Sequence, residues 1–121
     1  MAAPQITKGY GGVVPGGVIT ITPGTPIKIT ANLNLVGTQK SLMCRQIGFS
    51  LDASASGEVY VNYGNFAGKG NQTALIIQSG TTQALPVNSR CTEGEIDAQQ
   101  WWIDGSAACV VAISFVDCST L

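Results

Sequence analysis

The sequence predicts an all-β protein: a single-domain antiparallel β-sandwich, jelly-roll-like, with a flexible N-terminal arm. Short runs rich in Val, Ile and Thr recur between turns of Gly, Pro, Asn and Ser, at the spacing of about 8–12 residues that is typical of sandwiches. No hydrophobic period of helical type persists over several turns. The 121 residues are 45% hydrophobic, which suffices for one domain with a core of its own.

Glycine and proline dominate the start of the chain. They are Pro4, Gly9, Gly11, Gly12, Pro15, Gly16 and Gly17. Because both residue types interrupt regular structure, we predict a flexible arm over residues 1–17 and a sandwich domain over residues 18–121.

The first strands of the predicted sandwich are separated by a tight corner. Residues 18–22 alternate as a strand and stop at Pro23-Gly24-Thr25-Pro26. In this corner proline fixes φ and glycine permits a positive φ. A second strand is predicted over residues 26–33.

Two further strands follow in the middle of the chain. Residues 42–51 alternate between apolar and polar positions, which predicts one strand with Arg45 on the buried face. Residues 58–63 predict a hairpin strand after a Gly turn, and residues 64–73 a loop rich in Gly and Asn.

The next segments are shorter. Residues 74–78 and 82–87 predict two strands, and Pro86 indicates that the second one lies at a sheet edge. Residues 97–100 predict a single helical turn with Asp97 as its N-cap.

The last predicted strands frame a turn at Asp104-Gly105. Residues 101–103 precede it, and residues 108–117 follow it. Both faces of the latter strand are apolar, so we expect it in the centre of a sheet or against a neighbouring subunit. One of its faces carries Cys109, Val111, Ile113 and Phe115.

The chain lacks the side chains that most catalytic and metal sites use. It contains no histidine, the commonest general base and metal ligand, so a Ser or Cys nucleophile lacks its usual activating base. We therefore predict no enzymatic activity, no catalytic residue, no cofactor and no metal. Six Lys and Arg stand against seven Asp and Glu, which argues against nucleic-acid binding.

Four carboxylates lie near one another in the sequence: Glu93, Glu95, Asp97 and Asp104. Paired carboxylates could support glycoside hydrolysis, and oxygen ligands suit calcium. Because their spacing matches no calcium-loop motif, we interpret them as a solvated acidic loop.

No targeting signal is visible in the sequence. The first five residues show neither the basic nor the apolar segment of a signal peptide. No apolar run approaches the roughly 20 residues that cross a bilayer. We expect synthesis in a cytoplasm and no membrane partner.

The four cysteines are Cys44, Cys91, Cys109 and Cys118. No pair has the spacing of a zinc site, and buried thiols that act as small hydrophobes are the favoured interpretation. Cys109 and Cys118 lie about 30 Å apart along one predicted strand, whereas a disulfide requires Cα atoms within about 7 Å. If two bridges form, Cys44 pairs with Cys109 or Cys118, and Cys91 with the other.

The adjacent residues Trp101 and Trp102 are the best binding candidates. Neighbouring strand residues point to opposite faces, so we expect one indole in the core and the other at the surface. The outer indole is covered by a loop, contacts a partner subunit or stacks on a sugar.

Several of these features follow one another in an order typical of a known family. The Pro-Gly-Thr-Pro corner precedes the strand Gly57-Glu-Val-Tyr-Val61, the turn Ser79-Gly80 and the segment Ile96-Asp97-Ala-Gln-Gln-Trp-Trp-Ile-Asp-Gly105. From about Ile19 to Val116, the chain resembles the small virion structural proteins of tailed bacteriophages, of the head-decoration or capsid-cement type. It differs from their pattern at Asn62, where Gly is usual, and in its four cysteines.

The resemblance implies a structural role in a virion. The expected protein is a homo-oligomer, with a trimer favoured, that sits on the capsid surface, binds the major capsid protein and stabilises the shell. Within this expectation we assign the partner contacts to Ile6, Tyr10, Val13, Val14, Trp101 and Trp102.

An alternative function remains open at the level of sequence. The domain could be a carbohydrate- or receptor-binding module of a phage fibre or a cell surface. The outer Trp would then form a platform with Tyr60, Tyr63, Asn62 and Asn65.

Overall fold

The computed structural model of the protein describes residues 5–6, 13–35, 42–85, 96–116 and 118–120. In its first half the strands are β1 (Gln5–Ile6), β2 (Val13–Ile21), β3 (Ile27–Lys28), β4 (Asn34–Leu35), β5 (Leu42–Cys44), β6 (Gln46–Leu51) and β7 (Glu58–Tyr63). In its second half they are β8 (Thr73–Gln78), β9 (Thr82–Leu85), β10 (Ile96–Asp97), β11 (Trp101–Gly105), β12 (Cys109–Val116) and β13 (Ser119–Thr120). A 3₁₀ helix, Ala98–Gln100, joins β10 to β11.

Two four-stranded antiparallel sheets pack face to face, which confirms the predicted all-β sandwich. Their strand orders are β3-β11-β7-β8 and β2-β12-β6-β9. Alternation along each strand sends every second side chain into the space between the sheets. The largest fully buried side chains there include Phe49, Phe115, Ile21, Ile77 and Ile103, and each such burial contributes about 1.5–3 kcal/mol.

The described strands of the two sheets are interleaved along the chain, with β7 and β8 the one consecutive pair in the same sheet. Counted along the sequence from β2, the eight strands lie in the orders 1-8-3-6 and 2-7-4-5. The central strand β12 lies between β2 and β6, which confirms its predicted central place. The strand β9 lies at an edge, as we predicted for residues 82–87, although Pro86 lies outside the described residues.

The predicted strand over residues 42–51 is wrong in one respect, because it divides into β5 and β6 at Arg45. The same register nevertheless continues through both parts, since Leu42 lies opposite Thr120 and Leu51 lies opposite Val111. The Arg45 side chain is exposed, not buried, and its backbone N–H donates to the carbonyl of Val116 (3.0 Å). Breaking the alternation there spares the guanidinium the cost of burial.

The predicted start of the first strand at Val18 is also wrong. Strand β2 begins at Val13 and pairs with β12 along its length. A register shift between Ile113 and Ser114 faces Gly17, whose φ of 73° suits only glycine well. Part of the predicted arm is therefore a strand, because β12 supplies hydrogen-bonding partners that local sequence does not reveal. Residues 1–4 and 7–12 lie outside the described residues.

One further strand prediction and one turn prediction differ from the structure as well. The strand predicted over residues 26–33 is limited to β3, since the N–H of Ala31 donates to Lys28 (3.0 Å) and turns the chain. The turn predicted at Asp104-Gly105 is wrong, because both residues belong to β11. The bend follows at residues 106–108, where the Ser106 N–H donates to the Glu58 carbonyl (2.9 Å).

Other local predictions are confirmed. The Thr25 N–H donates to Thr22 (3.0 Å) across a turn in which Gly24 has a φ of 86°, as the Pro-Gly corner requires. The Asp97 carboxylate accepts from the Gln99 N–H (3.0 Å) and caps the 3₁₀ helix.

Candidate contact surface

One outer face of the sandwich carries no charged side chain at any described outward position. It belongs to the sheet β2-β12-β6-β9, and we name it the uncharged face. Its outward residues are Val18, Thr20, Gln46, Gly48, Ser50, Thr82, Ala84, Val110, Ala112, Ser114 and Val116. The sequence already indicated that the outward half of β12 is apolar, but the adjoining face of β2, with Val18, was missed.

Two valines project from the uncharged face. Val18 is 62% exposed and Val110 is 46% exposed, which makes them two of the three most exposed large hydrophobic residues in the described part of the chain. Val18 lies opposite Ala112, one outward position along β12 from Val110. Since diagonal neighbours on a sheet face are about 7–8 Å apart, the two side chains form one apolar ridge.

A shallow depression of about 140 Å³ lies beside this ridge. It is lined by Gly48, Phe49, Ser50, Thr82, Ala112, Ile113 and Ser114. The missing side chain of Gly48 leaves this space open, because a Cβ atom there would lie 2.9 Å from the Ser114 hydroxyl. Ridge and depression together give the uncharged face the relief that a complementary protein surface can match.

The opposite outer face, on the sheet β3-β11-β7-β8, is partly covered by its own chain. The loop of residues 64–72 folds back across it, and two buried polar side chains hold the loop. The Asp104 carboxylate accepts from the N–H groups of Gly68 (2.7 Å), Gly24 (3.0 Å) and Gly105 (2.8 Å). Asp104 is 1% exposed, so these hydrogen bonds replace the water that the carboxylate loses.

Asn62 is the second anchor of this loop. Its Nδ2 donates to the carbonyls of Phe66 (3.3 Å) and Gly68 (2.9 Å), and its Oδ1 accepts from the Thr73 hydroxyl (2.5 Å). A glycine at this position could make none of these bonds. Sequence reasoning missed this anchoring role of Asn62.

The tryptophan pair divides between core and surface as predicted. Trp101 is 2% exposed and packs edge-on against Tyr63, with ring centroids 5.2 Å apart. Trp102 is half-buried on the outer face, where the Lys28 Nζ lies 5.2 Å from its ring centroid. Trp101 therefore has no surface to offer a partner in this structure, whereas Trp102 keeps part of its edge exposed.

The aromatic platform considered for sugar binding is not assembled. Tyr60 and Asn62 are buried, and Tyr63 points to the opposite face of β7. The exposed Asn65 and the half-buried Trp102 remain from the set, and Lys28 already occupies one side of the indole.

The arm residues assigned to partner contacts are tied to their own domain where the structure describes them. Ile6 lies opposite Leu35 in a parallel pair of short strands, Val13 opposite Val116 and Val14 opposite Phe115. Tyr10 lies outside the described residues. The role of these residues in partner contacts remains a prediction.

Of the four carboxylates noted in the sequence, the two that the structure describes, Asp97 and Asp104, each accept hydrogen bonds from backbone N–H groups. Asp97 accepts from the N–H groups of Leu42 (3.2 Å) and Gln99 (3.0 Å), and Asp104 holds the loop of residues 64–72. Glu93 and Glu95 lie outside the described residues. Among the residues that are described, no three Cys, Asp or Glu side chains come together as a possible metal site.

Fold and surface together define the class: an antiparallel β-sandwich with one outer face partly covered by a loop and one uncharged outer face that carries exposed valines. Comparison of the chain with protein-family models, curated proteins and solved structures found no match. Within the described ranges, no helix has the length and apolar character needed to span a membrane.

Proposed function

We propose that this protein is a non-enzymatic structural protein of a bacteriophage virion that binds the outside of the capsid and stabilises it. Its partners are the major capsid protein and further copies of its own chain, with a trimer favoured. The observation that carries the proposal is the uncharged face, an exposed surface with an apolar ridge, whereas a loop covers part of the opposite face.

The chemistry of this face suits protein contact. Burying a charge without a partner is costly, and the uncharged face contains none to bury. Its hydroxyl and amide groups can exchange water for hydrogen bonds with a partner, while Val18 and Val110 supply apolar area. A protein that binds only the assembled shell stabilises it by mass action, by about 2.7 kcal/mol at a concentration of 100 times Kd.

The arrangement of the strands also supports this proposal. Strand orders 1-8-3-6 and 2-7-4-5 support the proposal that the sandwich is a jelly roll, an architecture frequent in capsid proteins. The buried loop anchors Asn62 and Asp104 add a rigid second face, so that the domain presents the uncharged face without reorganising. Preorganisation of this kind lowers the entropy cost of binding.

The experiment combines solution mass with capsid binding. Light scattering on a sizing column measures the oligomeric state of the 12.5 kDa chain, and cosedimentation measures its binding to purified shells of a tailed phage. Val18→Lys places a charge on the apolar ridge of the uncharged face. We expect this variant to lose shell binding by tenfold or more, since one unpaired buried charge exceeds about 1.4 kcal/mol.

A matched variant controls for the added charge. Gln78→Lys places the same side chain at an exposed strand position on the other sheet, beside Glu58, and we expect its binding to equal that of the original protein. Failure of the unmodified protein to bind shells, or equal binding by Val18→Lys, would contradict the proposal.

A further inference from the structure

Two cysteines distant in sequence lie opposite each other in a small sheet. Strand β5 pairs with β13, with Met43 opposite Ser119 and Leu42 opposite Thr120. Continuing this register by one residue places Cys44 opposite Cys118. Directly opposed residues of antiparallel strands have Cα atoms about 4.5–5.5 Å apart, within the range of about 4.4–6.8 Å that a disulfide requires.

The sulfur atoms of Cys44 and Cys118 lie close together, as this register predicts. The two Sγ atoms lie 2.9 Å apart, and the residues are 0% and 1% exposed. They are 74 residues apart in the chain, so only the tertiary fold brings them together.

The alternative partner of Cys44 is out of reach. Cys109 lies opposite Ile21 at the start of β12, whereas Cys118 lies beyond the end of that strand. Because the register of β6 and β12 continues into β5 and β13, Cys44 and Cys109 are separated by nearly the whole ladder. That separation is about 30 Å at about 3.3 Å per residue.

We propose that Cys44 and Cys118 form a disulfide bond that ties strand β13 to strand β5 when the protein meets a disulfide oxidant. With oxidised glutathione, one cysteine thiolate attacks the glutathione disulfide, forms a mixed disulfide and releases one glutathione. The second cysteine attacks the mixed disulfide at the protein sulfur and releases the other glutathione. The two cysteine protons end on two glutathione thiols, so the protein loses two electrons and glutathione disulfide gains them.

The surroundings of the pair determine when the exchange is fast. The hydrogen bond with Cys118 and burial both raise the pKa of the Cys44 thiol, and a protonated buried thiol reacts slowly. The bond therefore forms while β13 is not yet paired with β5. Once formed, it lies in the core, where soluble reductants have no access while the strands are paired.

The bond should also raise the thermal stability of the protein. It closes a loop that contains most strands of both sheets, and a long closed loop removes much conformational entropy from the unfolded chain. We expect the oxidised protein to unfold at a temperature about 10 °C or more above that of the reduced protein.

The test maps the bond directly. The reduced protein is refolded with oxidised glutathione, remaining thiols are alkylated, and proteolytic peptides are analysed by mass spectrometry without reduction. The expected result is a linked peptide that contains Cys44 and Cys118, with the same link in a Cys109→Ala variant. Alkylation of both Cys44 and Cys118, or a link from Cys44 to Cys91 or Cys109, would overturn the proposal.

A second measurement separates the bond from other redox effects. In a Cys44→Ala, Cys118→Ala double variant, the unfolding temperature should no longer depend on this refolding step. A dependence equal to that of the original protein would also overturn the proposal. Since the peptide map uses the unmodified protein, the test stands even where the double variant fails to fold.

Discussion

The carboxylate of Asp104 accepts a hydrogen bond from the backbone N–H of Gly68 at 2.7 Å, across 36 residues of sequence. This contact fastens the loop of residues 64–72 to the outer face of strand β11. Together with the bonds of Asn62, it covers part of one face of the sandwich, whereas Val18 and Val110 of the uncharged face are exposed.

Asp104→Asn should destabilise the protein although it preserves shape. The carboxylate accepts three backbone N–H bonds, and an amide would turn its NH₂ group toward at least one of these donors. We expect the free energy of unfolding to fall by about 1.5–3 kcal/mol, the range for hydrogen bonds to charged groups. Urea denaturation measures the change.

Asp52→Asn is the control for this variant. Asp52 is exposed, and its carboxylate accepts only from its sequence neighbours, the Ser54 hydroxyl (2.7 Å) and the backbone N–H groups of Ala53 and Ser54, all of which water can replace. Its replacement should leave the free energy of unfolding nearly unchanged. Equal losses in the two variants would show that Asp104 does not anchor the loop.

Alkaline pH should destabilise the protein through Tyr60. Burial, and then the hydrogen bond to Glu58 (3.1 Å), raise the pKa of the Tyr60 phenol. A raised folded-state pKa contributes stability that is present below the unfolded value of about 10 and is lost as the pH rises through the folded value.

Tyr60→Phe isolates this effect. The variant has no phenol at residue 60 to ionise, so its stability should fall less steeply than that of the original protein above about pH 10. Denaturation curves at several alkaline pH values measure the two slopes. Parallel slopes would contradict the assignment to Tyr60.

The two tryptophans should differ in stability and in solvent access. Trp101→Ala removes a core side chain and should cost about 3–5 kcal/mol. Trp102→Ala removes a half-buried ring and its contact with Lys28, and it should cost markedly less. Acrylamide should quench the fluorescence of a Trp101→Phe variant, which retains Trp102, more strongly than that of a Trp102→Phe variant. Equal quenching would contradict the division between core and surface.

Gly16→Ala should be destabilising because β2 passes close over the core. An added Cβ would lie 2.6 Å from the Phe115 ring and 2.8 Å from the Ile113 carbonyl, and such overpacking costs about 1–3 kcal/mol. Gly70→Ala is the matched control, since its Cβ would lie 3.6 Å from the Phe66 ring, an ordinary contact. A neutral Gly16→Ala variant would show that β2 does not lie this close to β12.

Sequence reasoning succeeded at two sites where the cause of the structure is local. Pro23 and Gly24 make their turn, and Asp97 caps its 3₁₀ helix, through residues no more than three positions away. It failed at Val13 and at Arg45, where hydrogen bonds with β12 and Val116 decide the conformation. Those partners lie far along the chain, so no local pattern reports them.

The sequence by itself determined the all-β class, because alternation and turn chemistry depend on neighbouring residues. Only the tertiary structure decided which outer face a loop covers. The sequence does not reveal what covers the outward sides of β7 and β12. The long-range bond from Gly68 to Asp104 and the local bonds of Asn62 fasten the loop over part of the first, and nothing in the described residues covers the second. The tertiary structure also brought Cys44 to Cys118, since strand register across 74 residues follows from packing of the whole domain and not from local preference.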